Sequence, residues 1–210
     1  MKILIACEYS GTVRDAFTKK GHTAISCDIL PTETPGPHYT GDIRNILYSD
    51  AWDLVIAHPP CTYLTNAGAV RMYPKKGIVD RARLAKAIQA RDFFMLFYNA
   101  KCPRIAIENP LPMRIVNLPE KSQVVQPYEY GEPFSKKTYL WLKGLPALTP
   151  TKVLTKYRPF INKAGYKKNL ANYKEKKFAT SSKERSKTFQ GIADAMAEQW
   201  TNAYYQPSML

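Results

Sequence analysis

MKILIACEYSGTVRDAFTKKGHTAISCD, residues 1–28, decides the fold. Lys2 to Glu8 is a short apolar run, followed at once by Gly11. Thr12 to Lys20 carries Val13, Ala16 and Phe17 at helical spacing and closes at Gly21. Thr23 to Asp28 is a second strand, ended by Pro31. The same alternation continues outward. Thr32 to Tyr39 is a Pro/Gly-rich loop, and Asp53 to Ala57 (DLVIA) is a third strand, stopped by Pro59 and Pro60. Residues 61–78, with Gly68, Pro74 and Gly77, read as a loop. Val79 to Ala100 is the longest predicted helix, Arg104 to Ile107 a fourth strand, Thr138 to Leu142 a late strand and Thr188 to Tyr204 a terminal helix. Strands alternating with helices predict an α/β fold, Rossmann-like, with a mostly parallel sheet covered by helices on both faces.

The 210 residues suit one domain, 1–210, and 45% hydrophobic content reads as globular. Net charge is +14 and unevenly placed: between Thr151 and Lys187 stand 12 Lys/Arg against 2 acids. Residues 144–187 therefore read as a basic insertion, either contacting a polyanion or forming a solvated Lys-rich loop. No apolar run approaches the roughly 18 residues of a membrane span, and MKILIAC lacks a signal-peptide pattern. The expected location is the cytoplasm. Cys7, Cys27, Cys61 and Cys102 show no CxxC spacing, so neither a zinc site nor a disulfide framework is expected.

In parallel sheets ligands bind beyond the carboxyl ends of the strands. Glu8, Asp28, Cys61 and Glu108 fall there. Ser10-Gly11 opens the first helix, where glycine admits a ligand to the backbone and free N–H groups are offered. Asp28 suits ribose hydroxyls, or is an ordinary turn residue. The full GxGxxG fingerprint is absent, which disfavours a dinucleotide. Asp42 of Gly41-Asp42-Ile43 suits an exocyclic amine, but an N-cap for a short helix through Leu47 is the favoured reading. His58-Pro59-Pro60-Cys61 presents a cysteine rigidly at the sheet edge, where a loop or helix terminus lowers a thiol pKa and yields a nucleophile. The other three cysteines read as buried structural residues. Glu108 follows the apolar IAI run, and burial there raises a carboxyl pKa, which suits a general acid toward a ring nitrogen. Phe134-Ser135-Lys136-Lys137-Thr138 precedes the late strand, its lysines suited to a phosphate or base carbonyl, or simply to a solvated turn.

In this order the motifs resemble the cytosine-C5 DNA methyltransferase family, most closely small phage-type members. EYSG (Glu8, Tyr9, Ser10, Gly11) resembles the family's cofactor loop. Asp28, with Ile29 after it, falls at the ribose-binding acid. GDI, with Asp42 and Ile43, resembles the adenine-contacting element. PPC (Pro59, Pro60, Cys61) resembles the catalytic Pro-Cys motif, and ENP (Glu108, Asn109, Pro110) resembles Glu-Asn-Val. YGEPFSKKTYLWL resembles the later Tyr-Gly-x-Pro-Gln-x-Arg-x-Arg block, and FQGIADAMAEQW the terminal helix that closes the cofactor pocket.

The resemblance implies S-adenosylmethionine as cofactor and cytosine in DNA as substrate. Cys61 would add to C6, Glu108 would protonate or hydrogen-bond N3, and Asn109 would support the Pro60–Cys61 loop. A base in duplex DNA would be flipped out to reach them. Lys136 and Thr138 stand at the two Arg positions with Lys137 between them, and Phe134 replaces Gln. Thr62 replaces the Gln after the cysteine, and the terminal Gly-Asn becomes Gly191-Ile192. The large target-recognition domain is missing. In its place lie Lys163, Lys167, Lys168, Lys174, Lys176 and Lys177 among Tyr157, Phe160, Tyr166, Tyr173 and Phe178, a mixture suited to phosphates and stacked bases. The same fold acting on RNA or a pyrimidine nucleotide, and a non-catalytic nucleic-acid-binding scaffold, stand as alternatives.

Overall fold

A computed structural model describes residues 1–49, 51–160 and 182–202. The first 28 residues form β1 (Lys2–Ala6), α1 (Thr12–Lys19) and β2 (Thr23–Asp28). Next come β3 (His38–Thr40), α2 (Arg44–Leu47), β4 (Leu54–Ala57), α3 (Ala69–Met72), α4 (Arg81–Tyr98) and β5 (Ile105–Asn109). The chain continues through β6 (Gln123–Val125), β7 (Phe134–Ser135), β8 (Thr138–Lys143) and β9 (Arg158–Pro159). Helices α5 (Ser182–Ser186) and α6 (Gln190–Asn202) follow.

Seven strands form one sheet in the order β3-β2-β1-β4-β5-β8-β6. β1 to β5 run parallel, and β8 runs antiparallel between β5 and β6. Side chains alternate across the pleat. Ile3, Ile5, Leu54, Ile56 and Ala106 pack under α1 and α6, against Val13, Phe17, Met196 and Trp200. Leu4, Ala6, Val55, Ala57, Ile105 and Ile107 pack on the other face with Ala87, Phe94 and Phe97 of α4. Burial on both faces is why these central strands read as continuous apolar runs. The α/β sheet with helices on both faces stands as predicted.

Three local expectations change. β3 lies at the end of the predicted 32–39 loop, and β6 falls where no strand is expected; at three residues each, neither shows a countable alternation. The predicted 61–78 loop contains a 3-10 turn at Asn66–Gly68 and one turn of helix, α3, which buries Met72 completely.

Arg14 of α1 is also fully buried. Its guanidinium donates to Ser26 Oγ and Thr32 Oγ1, both at 3.1 Å, to Thr34 Oγ1 at 2.7 Å, to Pro35 O at 3.2 Å and to Asp15 Oδ1 at 2.8 Å. One side chain thus fastens the Pro/Gly-rich loop against α1 and β2.

Candidate active site

At the carboxyl end of β1, Cys7 takes a left-handed φ of 59° and turns the chain toward α1. Glu8 follows, buried, and its carboxylate accepts from the amides of Val13 at 2.7 Å and Arg14 at 3.2 Å and from Ser10 Oγ at 3.3 Å. An acid here suits the positive end of α1. The free N–H groups predicted for a ligand at this turn are therefore partly taken by Glu8. Gly11 has φ 77°, and a β-carbon on it would lie 2.1 Å from Thr34 Oγ1. That approach of its own chain is what requires glycine here.

α5 covers this loop. Tyr9 Oη donates to Lys183 O at 2.7 Å and lies 3.0 Å from Ser186 Oγ. Glu33 pairs with Lys183 at 2.9 Å and with Lys187, and these two ammonium groups, Lys187 first, hold its carboxyl below the usual range. Cys7, Glu8, Tyr9, Ser10 and His58 line a narrow cleft roofed by Ser186, Lys187 and Thr188.

At the end of β2, Asp28 Oδ1 accepts from Leu30 N at 2.9 Å, shaping the turn. Ile29 projects from that turn 78% exposed. Asp42 accepts from Arg44 N at 2.9 Å and pairs with the Arg44 guanidinium at 2.8 Å. Asp42 thus stands just ahead of α2, whose N-cap is Ile43 rather than the Asp42 expected, while the helix does end at Leu47; Ile43 is buried in the core.

β4 and β5 bring the chemical groups together. Asn109 is 1% exposed, and its Nδ2 donates to Pro59 O at 2.8 Å, tying β5 to the His58–Cys61 turn. Cys61 O accepts from the amides of Leu64 at 3.0 Å and Thr65 at 2.9 Å, which fixes the turn after it. Burial pushes the Cys61 thiol up, and the nearby Glu108 carboxylate adds to this; Lys136 and Arg185 pull the other way. The outcome is a raised thiol, not the lowered one expected. Glu108 differs too. Burial alone would raise its carboxyl, but a hydrogen bond from His58 Nδ1 at 3.2 Å and the Lys136 charge outweigh burial and hold it below the usual carboxylate range. In this state Glu108 is ionised rather than a ready acid.

Thr138 is buried and donates to Lys136 O at 3.1 Å, bracing the turn before β8; Lys137 is exposed. Lys136 Nζ donates to Lys187 O at 3.4 Å, joining this turn to the α5 side of the cleft. Cys61, Glu108, Lys136 and Thr138 thus gather at one edge. Asp28, Ile29, Asp42 and Ile43 lie farther along it, beyond the cleft formed by Glu8, Tyr9 and Ser10. Lys163, Lys167, Lys168, Lys174, Lys176 and Lys177 lie outside the described residues, as do Tyr166, Tyr173 and Phe178. The aromatic residues seen from that stretch pack on the body: Tyr157 stacks on Tyr128 at 3.9 Å, and Phe160 meets Phe134 at 5.3 Å and Phe189 at 4.7 Å.

Sequence reasoning passes over two features. His58 reads there only as part of the cysteine turn, yet it meets Glu108. Its signal is a titratable side chain at the end of a buried strand. The other is the segment from Arg71 to Lys86, which holds six Lys/Arg against one acid. That acid, Asp80, caps α4 by accepting from Arg83 N at 2.9 Å. Arg71, Lys75, Lys76, Arg81 and Lys86 are exposed, while Arg83 donates to Thr62 O at 3.2 Å, next to Cys61. Among the described residues no helix is long and apolar enough to cross a membrane.

No family model matches the sequence, and no curated protein matches it. Solved structures with a distant likeness include two described as methyltransferases. One is described as a DNA modification methyltransferase encoded within a prophage of E. coli, at 13% identity and TM-score 0.45 over 73% of this chain. The other is the Entamoeba histolytica methyltransferase EhMeth, at 13% identity and TM-score 0.41 over 78% of this chain. The chain spans 52% of the length of the first and 60% of the second.

Proposed function

We propose that this chain transfers a methyl group from S-adenosylmethionine to C5 of cytosine in DNA, with Cys61 as the nucleophile. The observation that carries the reading is the meeting of Cys61 and Glu108. They come from the ends of adjacent parallel strands, are fastened by Asn109 to Pro59, and share Lys136 as a cationic neighbour.

In this reading the narrow cleft would open to take a nucleoside cofactor without phosphates. Glu8 occupies the α1 amides that a phosphate would need. Ile29 offers an exposed apolar surface for a purine next to the Asp28 carboxylate, which suits ribose hydroxyls. Asp42 is held by Arg44 and would have to exchange that partner to meet an adenine amine. The bound cofactor supplies an electrophilic methyl group.

The remaining steps belong to the protein and the base. Cys61 rests as a thiol and Glu108 as a carboxylate, so passing the Cys61 proton to Glu108 creates both working forms at once. The thiolate then forms a bond to C6, and Glu108 returns the proton to N3 as electrons move out of the C5–C6 double bond. C5 becomes nucleophilic and takes the methyl group. A water molecule takes the C5 proton as the double bond re-forms and the Cys61 thiolate leaves, and the N3 proton returns through Glu108 to Cys61. Lys136 stabilises negative charge on this edge throughout.

The test is mass spectrometry of nucleosides from DNA and from RNA incubated with the protein and labelled S-adenosylmethionine. Labelled 5-methylcytosine in DNA is expected, and Cys61→Ala should abolish both it and trapping on 5-fluorocytosine DNA. Label in RNA alone would move the substrate, and product formed by Cys61→Ala would remove the nucleophile.

A further inference from the structure

The aromatic residues around β7 and β9 are of two kinds. Phe134, Phe160 and Phe189 are half-buried and meet edge-on or tilted, forming a closed cluster. Tyr128 and Tyr157 instead lie parallel, 3.9 Å apart and 9° from coplanar. Tyr128 is half-buried in the 3-10 turn Pro127–Glu129, and its carbonyl accepts from Leu154 N at 2.8 Å. Tyr157 is fixed by its neighbour, because Arg158 N donates to Pro133 O at 3.1 Å where β9 joins β7. Tyr128 covers one face of the Tyr157 ring, yet Tyr157 stays 47% exposed. Its open surface is therefore the opposite face, held in place before any ligand arrives. An aromatic face kept in water suits another flat ring.

The charge around it suits a polyanion. Residues 127–137 and 152–158 carry five Lys/Arg against two acids. Lys137, Lys152 and Lys156 are exposed. Both acids are turned to backbone amides: Glu129 Oε2 accepts from Gln126 N at 2.7 Å and Glu132 Oε1 from Gly191 N at 3.4 Å. The strand pair also leads to the candidate chemistry. Arg158 pairs with Phe134, and Lys136 lies two residues farther on, roughly 7 Å along extended chain. Lys136 in turn acts on Cys61 and Glu108. In a duplex the faces of each base are covered by its neighbours, so only an unpaired base can lie on Tyr157. We propose that Tyr157 is a stacking platform for an unpaired base of a single-stranded nucleic acid, whose phosphates meet Lys137, Lys152 and Lys156 as the strand runs beside β7 toward Cys61. This deepens the function proposed above, and rests on it for the base at Cys61, by naming a single strand as the substrate.

The full chain is titrated by fluorescence anisotropy with labelled oligodeoxythymidylate and with a hairpin duplex of equal phosphate number. Tyr157→Ala is expected to weaken the single strand about tenfold or more and to leave the duplex unmoved. Its slope of log affinity against log salt should stay as in the parent, because no charge is lost. Tyr157→Phe should keep the parent affinity. Replacing Lys152 and Lys156 with glutamine should instead lower that slope by about 0.7 for each phosphate released. An abasic strand of the same length should bind the parent more weakly than the normal strand does, and Tyr157→Ala should weaken the abasic strand no further. Equal losses on single strand and duplex would overturn the platform, as would a Tyr157→Ala loss that persists on the abasic strand. Should Tyr157→Ala fail to fold, the parent decides alone: equal affinity for abasic and normal strands removes the stack. Oligouridylate titrated alongside tells RNA from DNA, the tighter of the two naming the strand. If the strand stacks on Tyr157 and labelled 5-methylcytosine never forms, the methyltransferase reading falls by itself. If 5-methylcytosine forms while Tyr157→Ala binds single strands like the parent, the platform falls by itself.

Discussion

Glu108 biases Cys61, and single substitutions should show it. The Glu108 carboxylate raises the Cys61 thiol and Lys136 lowers it. At neutral pH, iodoacetamide should therefore label Cys61 more slowly than a free cysteine. Glu108→Gln should speed labelling, and Lys136→Met should slow it further, each read by peptide mass spectrometry at position 61. Glu108 also links stability to pH. Its carboxyl is lower in the folded chain than in the unfolded one, so the unfolded chain binds more protons there in acid. The stability it contributes is complete above the ordinary carboxylate pKa and is lost as pH falls through the lowered value. Melting temperature followed from neutral pH down to about pH 3 should fall less steeply in Glu108→Gln than in the parent. The positions of Cys61 and Asn109 are legible in the sequence, because prolines and strand ends place them locally. The His58–Glu108 pairing is not, since it joins residues fifty positions apart through a sheet whose strand order no local pattern states. The directions of both pKa shifts escape the sequence for the same reason: each depends on neighbours from other elements.

Helix α6 tests packing at the scale of an element. Gly191 stands in its first turn, where alanine normally improves a helix by roughly 0.5–1 kcal/mol. A β-carbon there would lie 1.9 Å from Tyr130 O, a backbone atom that cannot rotate away. Gly191→Ala should instead destabilise by about 1–3 kcal/mol in urea unfolding, as overpacking does. Helix α1 depends on a buried charge. Arg14→Met should cost about 3 kcal/mol or more, because it leaves several buried oxygens without their donor and releases the Thr32–Pro37 loop. The sequence shows α1, β2, β4 and α4 clearly, since each carries a long apolar pattern or sharp breakers. Arg14 stands there as one more polar residue of an amphipathic helix. Only the folded loop around it reveals that it is interior.

Charge is a property of the whole molecule, and the structure redistributes where it matters. The sequence directs attention to residues 144–187, but the described chain also presents Arg71, Lys75, Lys76 and Arg81 on the segment leading away from Cys61. On the proposed function, replacing Lys75, Lys76 and Arg81 with glutamine should weaken DNA binding evenly across sequences. It should also reduce the slope of log affinity against log salt by about one for each phosphate that is no longer neutralised, as read by fluorescence anisotropy. A chain that keeps its affinity and slope would place the polyanion elsewhere.

The roof over the cleft gives salt a second, opposite effect. The Asn109–Pro59 bond ties the His58–Cys61 turn to β5, so on the proposed function an entering cofactor would displace the other side, α5. That side is held down in part by ion pairs between Glu33 and two exposed lysines, the kind most weakened by screening. Raising ionic strength should therefore hasten the arrival and departure of the small ligand while it loosens the polymer. In stopped-flow terms the proposed cofactor and the proposed polymer would answer the same ion with association rates of opposite sense.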